Sequence, residues 1–387
     1  MTTAQQAALE GPAVPLQDVE RELNRQMKAL QGPGESPVRR ARMSNLVIYT
    51  AGMGQALEVD ADIPDIVAVH PARVLLLIGD PDAAFRELTA TVTVRPIRVD
   101  HEHYACAEQV TLRAGGPAVD RLPFAVRSLL IGDLPANLWW AAPQPPPLAG
   151  PLLYELGEHA QQVMYDSRGW PDPVRGVAAT ASWLEDIERP NHGGRWRVAS
   201  DLNWRRLKYW RRLLTQSLDP AVAPGAAESV TEVLIEHGPH AVVEAWELAS
   251  WGTQRLGWRL DGGRVDPGVE MAWWFEGPAG SSRLRIRRLD HGPADIRHVR
   301  LDCKLADRPA AMDLVVEEDN QRLAVRWEGG GASSIGGEDG PSSLAGHCRV
   351  SCSPSGAACP SGTGSPARGS AAPSSPAARS PGPARRT

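Results

Sequence analysis

The run Arg73-Val74-Leu75-Leu76-Leu77-Ile78 limits the possible folds more than any other stretch of the chain. An uninterrupted apolar run this short is too brief for a core helix and leaves no wet face. It reads as a strand buried on both sides, as in sheets covered by helices above and below. Asn45–Thr50 is a second such run, whereas Thr91–Arg95 and Ala105–Arg113 alternate, as strands with one wet face do. Phe124–Leu130 reads as helical, Asn137-Leu138-Trp139-Trp140 as extended, and the proline-rich Pro143–Pro147 as a stiff surface loop. Gln161–Ser167 is expected to close the sheet, with Asp166 and Ser167 at its carboxyl end. Residues 43–170 therefore form an N-terminal mixed α/β sheet domain. Ahead of it, within residues 1–42, Leu16, Val19, Leu23, Met27 and Leu30 recur at helical spacing before a Gly/Pro linker, which predicts an amphipathic helix packing in cis.

A second unit, α+β in class, is expected over residues 171–328. Val177–Glu188 and Ser200–Ser217 carry helical patterns, Thr231–Ile235 a strand, and Ala241–Leu256 a helix stopped by Gly257. Five alternating segments between Met271 and Trp327 then suggest an antiparallel meander, with Arg283, Arg285 and Arg287 on one basic face. From Glu328 the composition collapses to Gly, Ser, Ala, Pro and Arg, so residues 329–387 are expected to be a disordered tail. The abruptness of the change reads as a shifted reading frame in a GC-rich gene, with a genuine low-complexity tail as the alternative.

Within the second unit, Asp201–Leu214 forms an amphipathic helix whose outer face carries Arg205, Lys208, Arg211 and Arg212. Ser200 or Asp201 is placed to cap it. Arg206 falls in the apolar stripe beside Trp210, where a guanidinium requires a carboxylate, a phosphate or an aromatic face. Pairing with an internal Asp or Glu is the expectation.

A net charge of -5 and a pI near 6.1 argue against a general nucleic-acid binder. No stretch is apolar and long enough to span a membrane and the amino end has no signal-peptide pattern, so a cytoplasmic protein is expected. Five cysteines without a CxxC pair make a disulfide framework or a metal site unexpected. No GxGxxG, GxxxxGK[ST], GxSxG or HExxH occurs, and no nucleophile has a neighbouring base, so neither catalytic residues nor a cofactor are indicated. His101-Glu102-His103 reads as exposed histidines in a polar connection rather than as a chelate. Asp80-Pro81-Asp82 is either a helix-starting turn or a ligand contact at a sheet edge. Asp133 and Asp166 are expected at similar edges, with an Asp166–Arg168 pair as the ordinary arrangement.

Several stretches, taken in order, resemble the OpcA family of glucose-6-phosphate dehydrogenase assembly proteins. They are His70-Pro71-Ala72-Arg73-Val74, Gly132-Asp133-Leu134-Pro135-Ala136-Asn137-Leu138-Trp139-Trp140, Asp166-Ser167, Asp201–Leu207 with Trp210-Arg211, and Leu248-Ala249-Ser250-Trp251 through Arg255-Leu256-Gly257-Trp258. The resemblance runs from about Met43 to Trp327. It implies a non-enzymatic role: binding glucose-6-phosphate dehydrogenase, activating it and aiding its oligomeric assembly in the oxidative pentose phosphate pathway. The helical, charged carboxyl end of the family is replaced here by residues 329–387, and redox control through Cys106 or Cys303 is not expected. Aromatic and arginine side chains dominate interface hot spots, which singles out Trp204, Arg205, Arg211 and Trp139 for partner contact. The alternative is a sugar-phosphate sensor or enzyme using Asp80, Asp133 and Asp166 at the sheet edge, with Arg206 reaching the phosphate.

Overall fold

In the computed structural model, residues 9–30, 39–40, 42–98, 104–188, 198–266, 269–317 and 323–329 are described. His101–His103 and the tail from residue 330 lie outside them.

The first sheet is built from β1 (Arg39–Arg40), β2 (Ser44–Ala51), β3 (Ala72–Asp80), β4 (Leu88–Arg98), β5 (Tyr104–Gly115), β6 (Ala136–Trp140), β7 (Ala160–Tyr165) and β8 (Val198–Asp201). Its order is β1-β5-β3-β2-β6-β7-β8, with every neighbouring pair parallel, and β4 joins β5 antiparallel. Starting from β2, the chain steps outward through β3 to β5, returns to the other side of β2, and continues through β6, β7 and β8. This is a doubly wound arrangement whose switch point lies between β2 and β6.

The continuous apolar run on β3 explains the layering. Leu75 and Leu77 enter one core with α1 (Val19–Leu30), α3 (Leu122–Leu129) and α4 (Pro151–Gly157), while Val74, Leu76 and Ile78 enter a second core with α2 (Met53–Val69). The first helix packs in cis as its spacing predicts. Val19, Leu23 and Met27 are buried, and the Gln26 amide donates to Val92 O at 2.9 Å and accepts from Val94 N at 3.1 Å.

Two expectations are revised. β5 has no wet face: Cys106 through Leu112 are all buried, because its polar side chains find internal partners. Glu108 pairs with the Arg73 guanidinium at 2.9 and 3.0 Å and with Arg42, and Gln109 donates to Asp60 at 2.7 Å. The first layer also runs past the expected boundary at residue 171. Trp183 of α5 (Pro173–Glu188) belongs to its core, and β8 extends its sheet.

The second unit contains α6 (Leu202–Arg206), α7 (Lys208–Ser217), β9 (Glu232–His237), α8 (Val242–Arg255) and six further strands. These are β10 (Arg259–Asp266), β11 (Glu270–Gly277), β12 (Gly280–Arg288), β13 (Ile296–Leu305), β14 (Arg308–Val316) and β15 (Leu323–Gly329). Their order is β10-β11-β12-β9-β13-β14-β15. The expected meander is therefore split: β9 wedges into its middle, parallel to β12 and antiparallel to β13. Gly257, with φ of 67°, ends α8 as the sequence predicts and turns the chain into β10.

One face of this sheet, including Val233, Ile235, Leu284, Ile286, Val299 and Leu301, packs beneath α7 and α8. The other carries the arginines, and the strand register sets acids beside them. Arg283 and Arg285 reach Glu232, Arg287 reaches Glu270 and Glu236, and His298 bridges Glu236 at 3.0 Å and Asp313 at 2.7 Å. The basic face is a charge-alternating lattice.

Candidate functional site

The stretch Asp201–Leu214 forms two helices rather than one. Leu207, fully buried with ψ of -5°, is the joint between α6 and α7, and its carbonyl accepts from Arg211 N at 3.0 Å, so the two remain nearly continuous. Asp201 caps α6 by accepting from Asn203 N at 2.9 Å, and the same oxygen accepts from Ser167 N at 3.2 Å. The Asn203 amide donates to Ser167 Oγ at 2.8 Å. Arg206 finds the internal carboxylate it requires, donating from both terminal nitrogens to Asp166 at 2.8 and 2.7 Å and from Nη1 to Asn203 Oδ1 at 2.7 Å. The carboxyl end of β7 is thereby tied to the first turn of α6. Burial works to raise the Asp166 carboxyl, but the Arg206 guanidinium outweighs it and holds it below the usual carboxylate range.

The same junction contains Glu244 and Glu247, which a reading of the sequence did not single out, and a different partner for Arg168. Arg168, expected to pair with Asp166, gives Asp166 only its backbone N-H, at 3.0 Å. Its guanidinium instead binds Asp295 in the loop before β13 and lies 4.0 Å from Glu244 of α8. Burial, with Asp295 and Asp166 adding to it, pushes the Glu244 carboxyl up to about 8. Burial, together with Asp201 and Glu244, pushes Glu247 up to about 8 as well. One carboxyl oxygen of each is buried with no hydrogen-bond partner among the described residues. The signal available in the sequence was their i, i+3 spacing in the otherwise apolar Val242-Val243-Glu244-Ala245-Trp246-Glu247-Leu248, which turns both toward the packed side.

The residues singled out for partner contact divide into two places. Trp204, Arg205 and Arg211 cluster on α6 and α7. The Arg211 guanidinium stacks 3.4 Å from the Trp204 ring centroid and donates to Trp204 O at 3.0 Å, so the two half-buried side chains hold each other at the edge of the second core. Arg205 is exposed beside it. Trp139 lies on β6, half-buried against the core that holds α2, whereas Trp204 packs against the core of the second unit.

The acids proposed for a sugar-phosphate site do not converge. Asp80 ends β3 and Asp166 follows β7, both at the carboxyl edge, but β2 and β6 lie between them, a separation on the order of 14 Å at ordinary strand spacing. Asp133 precedes β6 and so sits at the opposite edge, exposed. Asp80 behaves as a turn residue, accepting from Asp82 N at 3.2 Å. Among the described residues no group of three or more His, Cys, Asp or Glu is placed to hold a metal ion.

A doubly wound sheet implies a dinucleotide at its switch point. Gly52, with φ of 96°, and Gly54 open α2 there and leave open space around their backbone, but the position where a third glycine belongs is Leu57. The Gln55 side chain accepts from Ala51 N at 2.9 Å and donates to Ala141 O, joining the ends of β2 and β6 across the crevice. Behind it Tyr49 stacks on Trp140 with ring centroids 4.4 Å apart. These residues do not fit a dinucleotide.

Comparison with known proteins gives a consistent set of matches. Residues 64–182 match the family model described as the glucose-6-phosphate dehydrogenase subunit N-terminal domain, and residues 197–326 match the one described as its C-terminal domain. A putative OxPP cycle protein OpcA from Synechocystis is 27% identical over 210 residues, covering 53% of this chain and 41% of that protein. Its namesake from Nostoc punctiforme is 26% identical over 201 residues, covering 51% and 40%. The chain thus spans about two fifths of the length of the curated relatives it matches. Among solved structures, a putative oxidoreductase from Parabacteroides merdae aligns over 75% of this chain and 77% of its own, at 8% identity and a TM-score of 0.43, too slight a likeness to bear on function.

Proposed function

The chain belongs to the OpcA family, and from that premise we propose that it binds glucose-6-phosphate dehydrogenase as a non-catalytic partner and promotes its active oligomer in the oxidative pentose phosphate pathway. The observation that carries this reading is the order and extent of the two domain matches, which together take in more than half of the chain, with β3 to β8 of the first sheet and β9 to β14 of the second. The geometry is compatible. The crevice where a doubly wound fold handles a cofactor is bridged by Gln55, and the junction acids Asp166 and Asp295 are engaged with Arg206 and Arg168. An activator needs no catalytic group. It acts by binding the active form of its partner more tightly than the inactive one, a differential typically worth about 1–3 kcal/mol. The half-buried Trp204–Arg211 pair with the exposed Arg205 is the proposed contact, because stacking fixes the guanidinium in advance and lowers the entropy lost on binding. Adding the purified protein to the dehydrogenase of the same cells tests this. The expected result is a rise in the dehydrogenase rate with a shift of its mass toward the oligomer, weakened by Arg205→Glu with Arg211→Glu. No complex and no change in rate, or turnover of a sugar phosphate by this protein alone, contradicts it.

A further inference from the structure

Next to the basic face of α7, between its second half and that of α8, lies an apolar pocket of about 340 Å³. Its floor is the inner face of the second sheet, with Ile235, Leu284 and Val299, and its walls include Leu214, Leu218 and Leu248. A shallower hollow adjoins it, sharing Thr215 and Trp251, and is lined otherwise by Lys208, Arg211, Arg212 and Gln216. No carboxylate lines the hollow; among the described residues the acids nearby are Asp219, which lines the apolar pocket, and Glu247, whose charge acts on Arg211 without forming an ion pair. The Nε of Arg211 is buried there without an acceptor. Apolar depth and unpaired positive charge therefore stand side by side along α7, from Lys208 to Leu218.

We propose that these two hollows are one docking site for an acidic segment of a protein partner, with a bulky apolar side chain seated in the pocket and flanking carboxylates on Lys208, Arg211 and Arg212. Two features select this occupant. The charge calls for an anionic ligand, since three cations converge in a hollow that no carboxylate lines, against Asp219 in the adjoining pocket and Glu247 acting on Arg211. The extent calls for a peptide: ten residues of helix extend roughly 15 Å, close to three turns of a docked helix, and the pocket of about 340 Å³ accepts a large apolar anchor at one end of that length. The inference rests on the proposed function for the identity of the partner, glucose-6-phosphate dehydrogenase, and adds where and by what chemistry it is held.

Two variants and one probe test it. Gly252 of α8 lines the pocket, and a β-carbon there would meet nothing within 4 Å, so Gly252→Leu is the substitution chosen to fill the pocket. Lys208 and Arg212 are exposed, so Lys208→Glu with Arg212→Glu inverts the hollow while leaving the core intact. Circular dichroism and thermal unfolding establish that both proteins fold. Dehydrogenase affinity is expected to fall at least tenfold in each, and the salt dependence of binding to weaken in the second. The dye 8-anilinonaphthalene-1-sulfonate, an apolar anion, is expected to bind the wild type with one-to-one stoichiometry, to be excluded by Gly252→Leu, and to be displaced by the dehydrogenase. If the wild type does not bind the dehydrogenase, the proposed function fails and this site falls with it. If the wild type binds and both folded variants bind equally well, the function stands and the docking site is wrong. Dye that stays in place while the complex forms assigns the pocket to a small amphiphile and overturns the proposal.

Discussion

Charged side chains meet opposite fates in two regions of this molecule. In the first sheet and at the junction, each buried cation reaches a carboxylate: Arg73 lies against Glu108 and Glu20, Arg206 against Asp166, and Arg168 against Asp295. Along α6 and α7, Arg205, Lys208, Arg211 and Arg212 form no ion pair among the described residues; Arg211 rests on an indole and feels Glu247 only at longer range. Paired charges hold elements together, and their loss is felt in stability. Charges left without an internal partner add little to the fold and are available to another molecule.

The largest effect that would break this contrast lies in the first sheet. Arg73 is 2% exposed and Glu108 1%. Arg73→Ala leaves the Glu108 carboxylate buried with only Arg42 beside it and should cost about 3–5 kcal/mol in urea unfolding. Arg206→Ala comes next. Side chains of the Arg206–Asp166 pair are about a third exposed, so a loss on the order of 2 kcal/mol is expected, with any loss of partner binding following from instability. A normally folded variant that lost only binding would place Arg206 in the recognition surface instead.

Glu244 tests the junction through pH. Its carboxyl and that of Glu247 are raised from 4.5 to about 8 in the folded state. Between those values the folded protein holds protons that the unfolded chain releases, so stability should fall as pH rises from about 4.5 to 8 and level off above. Glu244→Gln removes its share of that slope and should raise stability at pH 9 by on the order of 1–3 kcal/mol, with little change at pH 5, as read by thermal melts across the range. A slope of the opposite sign would mean that both groups are ionised in the folded protein. The smallest change in stability is expected on α6 and α7. Arg205→Glu with Arg211→Glu should shift unfolding by about 1 kcal/mol or less, the loss of one stacked pair, while weakening dehydrogenase binding about tenfold.

Much of this contrast was legible in the chain. The apolar run at Arg73–Ile78 led to a sheet with helices on both faces, and Arg206 in an apolar stripe led to an internal carboxylate, because burial of a guanidinium admits few solutions. The break at Leu207 was not legible, since both halves share one helical period and tertiary packing sets the joint. Nor was the insertion of β9 between β12 and β13, because strand order depends on contacts distant in sequence. The sugar-phosphate grouping of Asp80, Asp133 and Asp166 failed for the same reason: each follows or precedes a strand, but which strands are neighbours, and at which edge each acid sits, is a property of topology. Glu244 and Glu247 were passed over because a helix with two acids at i, i+3 looks like a solvated face until the other side is seen to be packed.

The most direct measurement is sedimentation of the dehydrogenase with and without this protein, run alongside its rate assay. A complex that shifts the dehydrogenase to its oligomer, raises its rate, and loses at least tenfold in affinity when the α6–α7 cations are reversed agrees with unpaired charge as the recognition element. A complex of unchanged affinity after those reversals, lost instead when stable variants of the paired junction are tested, contradicts it.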